Sequence, residues 1–160
     1  MNPKAESLSE QTRYPFHRAP RVVWVLGLGG LIPFFALSGL YVFGPVEWSQ
    51  WAELSLLHYA VAILSFLGGI RWGFEMGHRP IKMPVMVGSV VVCLAAWATV
   101  IIPDMPMLWR IITLKAALIG QWYWDIHTRN LPHWYGRLRT ILTLGAAISL
   151  AIALEQALQL

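Results

Sequence analysis

Residues 54–74 read LSLLHYAVAILSFLGGIRWGF. Only His58 and, near the end, Arg71 can carry charge here, and the apolar residues run on without the strict alternation of a half-exposed strand. The hydrocarbon core of a bilayer is about 30 Å thick and takes about 20 helical residues to cross. Backbone polar groups find no water there, so a continuous apolar run of this length is expected as a helix rather than a barrel strand.

Four further apolar stretches flank it, at Val22–Phe43, Pro84–Ile102, Met107–Trp124 and Leu138–Leu158. The expected fold is all-α: a polytopic membrane protein whose residues 22–160 form a five-transmembrane-helix bundle. Residues 1–21 are polar and broken by Pro15 and Pro20, and read as a disordered cytoplasmic tail. The first apolar run is too long for a signal-peptide core and lacks a small-residue cleavage pattern, so it is expected to stay in the mature chain. Composition agrees, with 57% hydrophobic and 12% charged residues among 160, well outside soluble averages.

The basic residues orient the bundle. Ten of the twelve Lys and Arg fall on one side once five crossings are drawn: Lys4, Arg13, Arg18, Arg21, Arg71, Arg79, Lys82, Arg129, Arg137 and Arg139. Cytoplasmic loops accumulate Lys and Arg, which predicts the N-terminus inside and the C-terminus outside. Tryptophans give a second pattern. Trp48, Trp51, Trp97 and Trp109 fall near the outer interface, and Trp24, Trp72, Trp122, Trp124 and Trp134 near the inner one, as aromatic belts do. The net charge of +4 is thereby explained by topology and anionic lipid headgroups; no nucleic-acid partner is expected. Membrane lipids are the expected partners.

Several residues read as packing devices. Pro33 lies inside the first span after Gly27, Gly29 and Gly30, and predicts a kink there; a discontinuous helix lining a site is the alternative. Ser65, Gly69 and Gly73 repeat at i, i+4, i+8 along the second span, the small-residue stripe that lets membrane helices approach closely. The second span is therefore expected at the centre of the bundle or of a homo-oligomer contact. Cys93, the single cysteine, reads as a packing residue.

Candidate chemistry centres on ionisable residues inside the spans. Lys115 lies roughly 12 Å into the fourth span at 1.5 Å per residue, where a Lys costs about 3 kcal/mol before snorkelling. His58 and Glu155 approach the same leaflet. An outer polar cluster of His58, Lys115 and Glu155 is one expectation, with Asp104 and Arg110 at its mouth, able to hold a polar head group or relay a proton. On the inner side Arg71, Glu75 and Arg79 share one helical face, and Asp125 and Arg129 repeat the spacing, which predicts interfacial charge pairs. His78, His127 and His133 lie on that side too, but no zinc spacing, nucleophile elbow, P-loop or dinucleotide fingerprint occurs. No catalytic or metal residue and no cofactor can be named.

Three stretches resemble a known family: GLIPF at residues 30–34, ILSFLGGIRWG at 63–73, and LPHWY at 131–135 running into Leu138, Arg139, Leu142 and Thr143. The chain resembles the uncharacterised five-span membrane-protein family of proteobacteria and mitochondria that includes transmembrane protein 69. The resemblance implies a bacterial inner (cytoplasmic) membrane, or a mitochondrial inner membrane in a eukaryote. It supplies no activity. The functional expectation is a non-enzymatic inner-membrane protein that binds a lipid-like or hydrophobic ligand or assists a larger membrane complex. The alternative is a small proton- or anion-coupled transporter built around Lys115.

Overall fold

The computed structural model describes residues 21–77, 80–128 and 133–159. It shows α1 (Arg21–Gly29), α2 (Leu31–Phe43), α3 (Val46–Met76), α4 (Met83–Ile101), α5 (Met107–Ile126) and α6 (His133–Gln159). No strand occurs among the described residues. Short turns join the helices, so successive rods run antiparallel. α1 and α2 together make one 23-residue rod.

The break in that rod is at Gly30, whose N–H is shared between the carbonyls of Leu26 (3.0 Å) and Gly27 (3.1 Å). Pro33 has no N–H to offer the carbonyl of Gly29, and its ring crowds that carbonyl. The Tyr59 hydroxyl of α3 donates to the Gly30 carbonyl at 2.8 Å, pinning the break to the second span. The kink therefore sits three residues before the proline that causes it, where a polar contact from a neighbour compensates for the disturbed ladder.

The rods close into a ring in the order α2, α3, α4, α5, α6 and back to α2, and α3 also meets α5 across the middle. The second span is thus central. Its packing face is formed by Ala52, Leu56, Leu57, Ala60, Leu64, Leu67 and Gly68, against Ile111, Leu114 and Leu118 of α5. Gly68 allows the closest approach: a Cβ there would lie 2.8 Å from the Ser89 carbonyl of α4. Ser65 also faces α4, with its Oγ 3.1 Å from Cys93 Sγ. Gly69 and Gly73, by contrast, are exposed and a Cβ on either would meet nothing within 4 Å. The stripe expected to pack inside the bundle is displaced by one residue, because Leu64, Leu67 and Arg71 turn the face bearing Gly68 inward.

The outer surface carries the apolar side chains a membrane-facing surface needs. Leu26 is 70% exposed, Phe66 64% and Leu94 55%, a pattern that would be costly in water. Among the described residues, four helical rods are long and apolar enough to cross a membrane: Arg21–Phe43, Val46–Met76, Met83–Ile101 and Trp134–Gln159. The fifth expected span, α5, is 20 residues long, about 30 Å at 1.5 Å per residue. It is less apolar because it carries Arg110, Lys115, Gln121 and Asp125. Gln121 and Asp125 are turned into the bundle, so much of that polarity is hidden from the surroundings.

Candidate functional site

The polar interior of the bundle lies near the end formed by Met76, Met83, Ile126 and His133, the end the basic residues assign to the cytoplasm. Asp125, one residue before the end of α5, is its hub. Arg139 of α6 donates from Nε to Asp125 Oδ2 at 2.8 Å. Arg71 of α3 donates from Nη1 to Asp125 Oδ1 at 3.4 Å, and Gln121, one turn back on α5, donates to the same oxygen at 3.4 Å. Arg71, Asp125 and Arg139 are only 4–6% exposed. Three helices distant in sequence are thus tied by one carboxylate. Breaking a buried pair strands a charge, so such a cluster specifies an arrangement more than it adds net stability.

Neighbouring groups complete it. The Arg71 guanidinium carbon lies 4.4 Å from the centre of the Trp124 ring, a cation–π contact. The edge of the Trp124 ring reaches α4 because position 88 is a glycine: a Cβ there would collide with the indole ring. Glu75, one turn after Arg71 and also buried, accepts the backbone N–H of Lys82 at 2.7 Å and so closes the connection between α3 and α4. Among the described residues of this cluster, two guanidinium groups and two carboxylates balance to zero formal charge.

This arrangement corrects the expected interfacial pairing. Arg71 and Asp125 are buried and pair with each other across 54 residues of sequence. Arg79, Arg129 and His78 lie outside the described residues, as does the side chain of His133. His127 stays local, its Nδ1 2.8 Å from the Tyr123 carbonyl. Among the described residues no three His, Cys, Asp or Glu side chains converge on one point.

The outer cluster does not form. His58 is exposed with its Nδ1 2.6 Å from the Leu54 carbonyl, Glu155 is exposed, and Lys115 is half-buried. No hydrogen bond or ion pair joins the three. Leu57, Ala60 and Ala153 occupy the inward faces of α3 and α6, which turns His58 and Glu155 outward. Arg110 caps the α4–α5 turn instead, donating to the carbonyls of Met105 (2.9 Å) and Ile102 (3.2 Å). In that turn Asp104 adopts a left-handed φ of 56°, a conformation Asp tolerates.

In the sequence Arg139 reads as a topology charge and as part of the stretch that carries the family resemblance. Its signal was its position: a charge one residue inside the last apolar run, with Thr143 one turn on and Ala146 and Leu150 continuing the same face. All four are buried. Above Arg139 this face lines a crevice of about 140 Å³ between α1, α2, α3 and α6. Its walls are apolar, with Leu31, Phe34, Phe66 and Leu142 among them, and Arg139 and Thr143 are the two polar side chains that line it.

The family described as "Protein of unknown function (DUF3429)" matches residues 19–155. The chain belongs to this family. Among curated relatives it is 33% identical over 141 residues to transmembrane protein 69 of Xenopus tropicalis, covering 82% of this chain and 53% of that one. It is 30% identical over 142 residues to transmembrane protein 69 of Mus musculus, covering 85% and 56% respectively. The chain thus spans about half the length of these relatives. No solved structure matches. The matched family region contains the whole of the Arg71–Asp125–Arg139 cluster and every residue lining the crevice.

Proposed function

We propose that this membrane protein binds a lipid-like molecule in the crevice between its first, second and last spans, and that it does so in a bacterial or mitochondrial inner membrane. The observation that carries the binding reading is the crevice itself: about 140 Å³, walled by apolar side chains and bounded by a charged network at one end. Small-molecule sites are mostly apolar concavities with few, placed polar groups. An engineered cavity of about 150 Å³ holds benzene, so this one accommodates one six-membered ring or a short length of acyl chain, the remainder extending along the lipid-facing surface. The inner-membrane assignment rests on the resemblance and on the transfer of membrane character from relatives.

The test is to purify the full chain in mild detergent, extract it with organic solvent, and identify what is released by mass spectrometry. Wild type should carry a defined hydrophobic molecule near one per chain, and Ala146→Leu, which fills the crevice floor, should lose it. A chain that carries only bulk lipid, in the same proportions as the filled variant, overturns the reading.

A further inference from the structure

Two groups at the polar end of the crevice lack partners among the described residues: Arg139 Nη2 and Thr143 Oγ1. Both residues are about 95% buried, at 5% exposure each, and both line the crevice. A buried donor left unmade costs the full desolvation of the group, so each of these two crevice-lining residues calls for an acceptor. Arg139 has spent Nε on Asp125. Thr140, earlier on the same helix, returns its hydroxyl to the carbonyl four residues back at 2.9 Å, whereas Thr143 makes no such bond. One turn apart on α6, the two groups share a face.

Resting on the ligand-binding reading above, we propose that Arg139 and Thr143 form the head subsite and receive the carbonyl oxygen of a neutral amphipath, its ring or chain lying along Leu31, Phe34, Phe66 and Leu142. Charge decides for a carbonyl over a carboxylate or phosphate. Arg71, Arg139, Asp125 and Glu75 already sum to zero, and all four are buried. An anionic head would leave one buried charge unbalanced, which is far costlier than seating a neutral acceptor. A water molecule in this position would satisfy the donors but leave the apolar walls unfilled.

The probes are 2-decyl-1,4-benzoquinone, monoolein and decylbenzene, titrated into the full chain in detergent and followed by equilibrium dialysis. The first two carry a carbonyl, on a ring and on an acyl ester; the third has ring and tail without one. Carbonyl probes should bind more tightly than decylbenzene, and the preferred one identifies the source of the carbonyl. Thr143→Val should weaken their binding about three- to tenfold, the worth of one hydrogen bond, and leave decylbenzene unchanged. Infrared spectra of the ¹³C=O-labelled probe should show a lowered carbonyl frequency that relaxes in Thr143→Val. Arg139→Lys, which keeps a cation beside Asp125, should weaken the carbonyl probes in the same selective way, guarding against a defect of one variant alone. If decylbenzene binds as tightly as the carbonyl probes, or if Thr143→Val and Arg139→Lys both bind them like wild type, the head subsite is wrong while the crevice reading stands. If none of the three probes binds, both fail.

Discussion

Arg139 on the last helix and Asp125 on the one before it, joined at 2.8 Å, fix the register of α5 against α6 and, through the second oxygen of the same carboxylate, that of α3. Removal of this carboxylate is the most informative change the bundle offers. We predict that Asp125→Asn destabilises the chain by about 3–5 kcal/mol, because it leaves two guanidinium groups buried without their counter-charge. Thermal unfolding in detergent measures it. A shift no larger than that of a surface variant would mean the pair is not a structural hub.

Gly88 makes a sharper prediction about packing. Gly88→Ala places a methyl where the Trp124 ring lies, so the ring must move and the contact with Arg71 weakens. The expected cost is about 1–3 kcal/mol, typical of overpacking, together with a changed tryptophan emission. Unaltered emission and stability would show that the indole is free to shift.

Gly69→Ala and Gly73→Ala should behave oppositely. Neither new methyl meets another atom of the chain, so the monomer should change by less than about 0.5 kcal/mol. A loss of oligomer in crosslinking or light scattering, with the monomer unharmed, would instead assign the exposed stripe to a contact between copies.

Ser149 joins the last span to the first by donating to the Phe34 carbonyl at 2.7 Å, with Ser38 Oγ 3.0 Å away. Hydrogen bonds between membrane helices average about 0.6 kcal/mol. Ser149→Ala should cost about that much in a detergent-to-denaturant titration, and a cost above about 2 kcal/mol would mean the hydroxyl also holds something else.

His58→Ala and Glu155→Gln, singly or together, should leave stability and ligand content unchanged, since both side chains are exposed and share no contact. A non-additive loss in the double variant would show that they do meet.

The helices were legible in the sequence because apolar length is a strong, one-dimensional signal. Depth was legible too: Arg71, Asp125 and Arg139 all belong to one end of the bundle, as their positions along the spans required. Azimuth was not. Each helix can rotate about its axis without changing where its charges lie in depth, and only packing settles the rotation. That is why His58, Lys115 and Glu155 share a level without meeting, and why Gly68 rather than Gly69 takes the close contact. A near-uniform apolar helix leaves this choice to side-chain fit between elements, which no periodicity records. The break at Gly30 is the exception, since Pro33 disturbs the ladder locally.

The split of one ion network over α3, α5 and α6 bears on how the chain is made. During synthesis α5 is exposed to the insertion machinery before Arg139 exists, carrying Lys115, Gln121 and Asp125 with only Arg71 to answer them. Residues of that kind disfavour insertion of a lone helix, so α5 should settle in the membrane only when α6 follows. A chain ended after Ile126 should leave α5 accessible to an aqueous-side labelling reagent and be degraded quickly, whereas in the full chain α5 is protected. Biogenesis would then finish in a single late step, with the final hairpin acting as the checkpoint for the whole protein.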